Sequence, residues 1–260
     1  MKILSVTKYL LPLREGGSLP AIVETDDHEQ YVMKFIGAGQ GSKALIAELI
    51  GGEIGRHLGF RIPELALLDF DPVIARAEPD PEIQDLLKAS AGLNLGMKFL
   101  PRSAAFSLLL DEPKPGAEFA SELVWFDAFI TNVDRTPKNV NMLVHEGEIW
   151  LIDHGAALNF HHNWRDHIKQ SETAFPLIKQ HVLLSLATGV ADAGERLRTR
   201  LSRPLFEEVV AAVPEQWLEP TNGFDNTGQM RKGYVEFLEH RLANHARFVK
   251  EAENARAQLV

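Results

Sequence analysis

The chain has 260 residues, 45% apolar and 24% charged, with a formal charge of −9. This balance suits a folded protein and argues against disorder, non-specific nucleic-acid binding and a polybasic membrane anchor. It contains no cysteine, which excludes disulfides, thiolate nucleophiles and cysteine-based zinc or iron–sulfur sites.

No run of about 18 apolar residues occurs, and Met1–Lys8 lacks the pattern of a secretory signal, so a cytoplasmic protein with no membrane partner is expected. Three apolar runs rich in Ile, Val, Leu, Tyr and Phe open the chain: 2–13, 21–24 and 30–36. They are separated by Glu15-Gly16-Gly17-Ser18 and Asp26-Asp27-His28-Glu29, whose residues favour turns, so three antiparallel strands are predicted. A Gly-rich linker, Gly37–Gly41, leads to a helix predicted over 43–58, where Ile46, Ile50, Ile54 and Leu58 form one buried stripe and Gly59 ends the run. Residues 61–70 read as a further strand, 81–89 as a short helix inside an insertion, and 92–101 as an apolar connector.

The pattern then becomes helical over 120–130, forms a hairpin over 141–153 that turns at 145–148, and returns to helix over 174–188, 204–212 and 229–256. The expected organisation is a strand-rich N-terminal lobe, 1–96, followed by a helical lobe, 97–260.

The densest polar cluster is Asn132-Val133-Asp134-Arg135-Thr136-Pro137-Lys138-Asn139, followed across the hairpin by Ile152-Asp153-His154-Gly155. A hairpin brings its ends together, so Asp134, Asn139 and Asp153 are expected around one point. Two carboxylates and an amide oxygen are hard donors that suit Mg²⁺ and the phosphates of a nucleotide. Lys34 ends an apolar strand and needs an anionic partner, a carboxylate or a phosphate. Gly37-Ala38-Gly39-Gln40-Gly41 fits neither a dinucleotide fingerprint nor a P-loop, because its third glycine comes too early and no lysine follows a glycine. His161, His162 and His167 read as a solvated loop rather than a metal site.

Asp134-x-x-x-x-Asn139, a short hairpin and Asp153-x-Gly155 resemble the catalytic loop and metal-binding motif of protein-kinase-like enzymes. The Asp-Arg pair is similar to the loop of phosphoinositide kinases, and Asp-x-x-x-Lys-Asn to that of HipA-family kinases. The HipA resemblance runs from Gly16-Gly17-Ser18 through Lys34 and Glu48-Leu49 to Leu58-Gly59. Two departures stand out: no His-Arg precedes Asp134, and His154 occupies the expected Phe position.

The resemblance implies an α+β, bilobal protein-kinase-like fold with an antiparallel-sheet N-lobe and a mostly helical C-lobe. It further implies an ATP- and Mg²⁺-dependent kinase acting on a Ser or Thr hydroxyl of a protein; the acidic composition, without a large basic surface, argues separately against a direct nucleic-acid partner. In that reading Asp134 receives or orients the hydroxyl proton, Asn139 and Asp153 hold Mg²⁺, and Lys34 binds the phosphates. Gly16, Gly17 and Ser18 cover the phosphates, and Ser18 matches the self-phosphorylated serine of the family. The acid that holds Lys34 is Glu48 by family spacing, while helical geometry puts Glu53 nearer the apolar stripe. The alternatives are a nucleotide-binding pseudokinase scaffold, a small-molecule or lipid kinase, and a metal-dependent hydrolase.

Overall fold

The computed structural model describes residues 1–13, 19–39, 41–76, 78–109, 113–220 and 223–259. The first runs form β1 (Ile3–Pro12), β2 (Ala21–Thr25) and β3 (Gln30–Lys34), followed by α1 (Gly41–His57) and β4 (Leu65–Phe70). After α2 (Pro81–Ala89) comes β5 (Gly92–Lys98). The apolar connector expected over 92–101 is thus largely a strand. It is bonded on both sides, to β3 and β4, and its Leu93, Leu95 and Met97 alternate with Asn94, Gly96 and Lys98 as the two faces of a strand do.

The order β1-β2-β3-β5-β4 closes into a barrel. Its pairs are antiparallel except β1–β4, which is parallel, so the expected antiparallel sheet is mixed. Parallel closure joins strands distant in sequence and leaves no local signature. β5 runs through Lys98, past the 96/97 division drawn from the sequence.

Alternation sorts the strand residues onto two faces. Val23, Tyr31, Met33, Ala66, Leu68 and Phe70 fill the barrel. Leu67 and Leu95, on the other face, join the core shared by α1 and the helices beyond. Lys34 pairs in register with Leu95. The linker after β3 is held against α2, since the Gly37 N–H donates to Ser90 Oγ at 3.1 Å.

Beyond β5, a short β6 (Ala104–Ala105) joins the hairpin β7 (Met142–His145) and β8 (Glu148–Leu151) in a second sheet. α3 (Ala117–Phe129) is buried over most of its length. α4 (His167–Ser171), α5 (Val190–Arg198), α6 (Arg203–Ala211), α7 (Thr227–Ala243) and α8 (His245–Ala257) complete the chain. The helix expected over 229–256 divides at Asn244, whose N–H closes α7 on His240 O at 3.1 Å.

The helix expected over 174–188 is instead two single 3₁₀ turns, 176–180 and 184–186. Phe175 is left-handed and His181 extended, and the Val182 N–H is bonded to Arg135 O rather than to a helical carbonyl. Arg241 is buried without a carboxylate partner among the described residues. It donates instead to the terminal carbonyls of α3, Ala128 and Phe129, and to those of Ser171 and Thr173. Burial pushes its pKa down to about 9.

α5 packs on α3 through Gly194, where a Cβ would meet Trp125 Nε1 at 2.5 Å. Trp125 is fully buried and its indole is rigid. Gly194→Ala is therefore expected to lower stability by about 1–3 kcal/mol, against at most about 1 kcal/mol of gained helix propensity. Thermal unfolding measures it, and an unchanged or raised midpoint contradicts this packing.

Candidate active site

The site lies where β3, α1, the loop after α3 and the end of β8 converge. Lys34, at the last position of β3, is 15% exposed at its side chain. Its ammonium donates to Glu48 Oε2 at 2.5 Å and to Asp153 Oδ1 at 2.7 Å. Glu48 is the partner expected from family spacing; Glu53 lies only 3.9 Å from Arg56, a neighbour on α1. Glu48 lies on the same face of α1 as Gly51, Gly52 and Gly55, since such spacings repeat every turn. A Cβ at Gly52 would meet Leu65 at 2.7 Å and one at Gly51 would meet His154 at 3.0 Å, so this small-residue face lets α1 sit close and bring Glu48 inward.

Burial alone would raise the Glu48 pKa, but the Lys34 ammonium, with His154, outweighs it and holds the carboxyl well below its usual range. Burial likewise disfavours the Lys34 charge, and Glu48 and Asp153 more than compensate, holding it above the ordinary lysine value. Lys34 and Glu48 therefore form a charged pair throughout the physiological range.

Asp153 follows β8 with φ 55°, the left-handed region that an aspartate tolerates better than most residues. Its Oδ1 also accepts the Gly155 N–H at 3.4 Å. Thr131 and Asn141, which bracket the loop after α3, are left-handed as well. Strained backbone of this kind is kept where the surroundings over-determine it, and it clusters at functional sites. His154 is buried against α1 and α3, its ring in edge contact with Phe126, and its Nδ1 stands 3.5 Å from Glu48 Oε1.

Within the loop, Asn139 Nδ2 donates to Asp134 Oδ2 at 2.7 Å, and the Asp134 N–H donates to Asn132 Oδ1 at 3.1 Å. Arg135 joins the loop to the backbone just before Asp153. Its fully buried guanidinium bonds the carbonyl of Asn141 and, at 3.5 Å, that of Ile152. Arg135 is neutralised by Asp127 of α3, 2.6 Å away. Burial would raise the Asp127 pKa, but Arg135 and His181 outweigh it and hold it well below the carboxylate range.

Sequence reasoning passed over Asp127 and His181, because an acid in an apolar helix and a histidine far downstream carry no spacing signal. Arg135 alone was visible, in the Asp-Arg pair. Gly16, Gly17 and Ser18 lie outside the described residues.

The amide oxygen of Asn139 and the second carboxylate oxygen of Asp153 have no protein partner among the described residues. As hard oxygen donors they fit Mg²⁺, which keeps waters and phosphate oxygens for its remaining positions. Among the described residues no three His, Asp or Glu side chains gather as a metal-binding group. A Mg²⁺ ion here would therefore depend on nucleotide phosphates rather than an all-protein cage. His161 is buried and its Nδ1 lies 3.1 Å from the Tyr234 hydroxyl; desolvation pulls its pKa well below the usual value. No described helix is long and apolar enough to cross a membrane.

No curated protein matches the chain in sequence. Among solved structures it is similar to the Helicobacter pylori proinflammatory kinase CtkA, at 13% identity and TM-score 0.57, covering 96% of this chain and 95% of that one. It also resembles the Golgi casein kinase at 12% identity and TM-score 0.51, covering 98% and 74%. The same enzyme with Mn and ADP bound aligns at 12% identity and TM-score 0.50, covering 100% and 75%. These likenesses establish a kinase-like fold. The family model described as HipA-like kinase matches residues 6–249, nearly the whole chain, and the protein belongs to the HipA-like kinase family.

Proposed function

We propose that the protein transfers the γ-phosphoryl group of ATP to a Ser or Thr hydroxyl of a protein, with Mg²⁺. The observation that carries this reading is the ion triad of Lys34, the buried Glu48 and the more exposed Asp153, tied through Arg135 to the loop bearing Asp134 and Asn139. Support for nucleotide and divalent metal also comes from a structural neighbour that was solved with Mn and ADP. The arrangement is read as bilobal, with a nucleotide lobe at 1–96 extended to the end of β5 and a catalytic lobe over the rest, in a cytoplasmic enzyme.

Lys34, held by Glu48, presents its ammonium to the α- and β-phosphates. Asn139 and Asp153 would hold Mg²⁺, which supplies charge neutralisation between the phosphates when bound. Asp134 has one carboxylate oxygen bonded to Asn139, leaving the other for the acceptor hydroxyl. The hydroxyl oxygen attacks phosphorus, the bond to ADP breaks, and the hydroxyl proton passes to Asp134. Positioning and charge account for most of the rate in such transfers.

The test is incubation of the protein with γ-labelled ATP, with and without Mg²⁺, following self-labelling, labelled protein acceptors and ATP hydrolysis. Mg²⁺-dependent label on Ser or Thr is the expected result. Asp134→Asn should bind ATP nearly normally while transfer falls by roughly 10²-fold or more. Equal loss of binding and transfer makes Asp134 a metal ligand instead. Mass spectrometry of the same incubation tests Ser18: phosphate there supports self-modification of the glycine-rich loop, and phosphate only elsewhere removes it.

A further inference from the structure

We infer that His181 is a positioning residue for the transfer loop, acting through the buried Asp127–Arg135 pair; this rests on the kinase reading above. His181 lies well past Asp153 in the chain, on extended backbone between the two 3₁₀ turns, and is buried. Two bonds orient its ring. The Leu183 N–H donates to Nδ1 at 3.1 Å, so Nδ1 carries no proton and Nε2–H is the donor. That donor faces Asp127 Oδ2 at 2.9 Å.

The same Asp127 oxygen accepts Arg135 Nε at 2.6 Å, and the other oxygen accepts Asn132 Nδ2 at 3.0 Å. Asp127 therefore joins α3, both ends of the Asn132–Arg135 stretch and the later segment at one carboxylate. The next residue, Val182, donates its N–H to the Arg135 carbonyl at 3.0 Å. Residues 181–182 thus grip Arg135 twice, at its backbone directly and at its side chain through Asp127. Arg135 adjoins Asp134 in the chain, and its guanidinium bonds the carbonyl of Ile152, which adjoins Asp153. A displacement of Arg135 moves Asp134 and Asp153 together.

An unmatched donor or acceptor in low dielectric is costly, so each bond at Asp127 constrains Arg135. Taking the Nε2–H away leaves Asp127 one donor short and lets Arg135 re-aim. No bond of His181 reaches Lys34 or Glu48. The effect should therefore fall on turnover and spare the grip on ATP.

Two amides of similar polarity separate this role from a local structural one. His181→Gln sets its N–H where Nε2 stood and keeps the bond to Asp127. His181→Asn sets its oxygen where Nδ1 stood, keeping the Leu183 bond and losing the one to Asp127. Under Mg²⁺–ATP, His181→Asn should lower kcat by about 10²-fold with KM for ATP little changed, while His181→Gln stays within about tenfold of the parent. Hydrogen exchange of the amides of residues 132–139 and of Val182 should quicken in His181→Asn and not in His181→Gln.

The reverse order, with Asn active and Gln impaired, or equal kcat in both variants, overturns the inference. So does equal exchange in the two. A parent protein that transfers no phosphate counts against the kinase reading instead, and the exchange comparison still decides the positioning role.

Discussion

Asp153→Ala is expected to weaken Mg²⁺-dependent nucleotide binding strongly and to lower transfer by about 10²–10³-fold while the protein remains folded. The side chain is 42% exposed, so its removal opens no cavity in the core. It takes away one Lys34 partner, but Glu48 stays, and the ammonium is not left buried without a counter-charge. The residue also sits at φ 55°, where alanine costs about 1 kcal/mol more than a residue suited to that region. Asp153→Asn therefore serves as the companion variant: asparagine tolerates the left-handed backbone and removes only the negative charge. Both variants should show the same loss of nucleotide affinity when calorimetry is run at several Mg²⁺ concentrations. Affinity that is unchanged in both removes Asp153 from the metal site.

Glu48→Gln should damage both the fold and the activity. Glu48 is 1% exposed at its side chain and directly bonded to a largely buried ammonium. Removing one partner of a buried pair typically costs about 3–5 kcal/mol, and Asp153 keeps the loss toward the lower end. Transfer should fall by about 10²-fold, since Lys34 loses the anchor that aims it at the phosphates. Glu53→Gln should change stability by no more than about 0.5 kcal/mol, because Glu53 is half-buried beside Arg56 and takes no part in the triad.

The pH dependence has a definite sign. A carboxyl held below its ordinary value of 4.5 contributes stability that is present above that value and lost as pH falls toward the folded-state pKa. The stability gap between the parent protein and Glu48→Gln should therefore narrow below about pH 4.5 in denaturant unfolding. A gap that widens on acidification contradicts a charged Glu48. An active Glu48→Gln beside an inactive Glu53→Gln would overturn the assignment of Lys34's partner.

The sequence by itself determined the strand-turn-strand opening, the long first helix and the hairpin, because turn residues and periodicity are local. It also singled out Asp134 and Asn139, which one hydrogen bond joins, and Asp153 at the other end of the hairpin, since these polar residues stand out beside apolar runs. Lys34 was legible for a related reason, as a charge in an apolar strand that demands a partner.

Which acid answers Lys34 was decided only by the tertiary structure. The isoleucine stripe suggested one rotation of α1, whereas Gly51, Gly52 and Gly55 allow a second face to pack as closely and carry Glu48 inward. The parallel β1–β4 closure, the two turns in place of a helix at 174–188, and the meeting of Asp127, Arg135 and His181 were equally out of reach. Each depends on partners far apart in the chain, and those contacts form only when the whole core is packed.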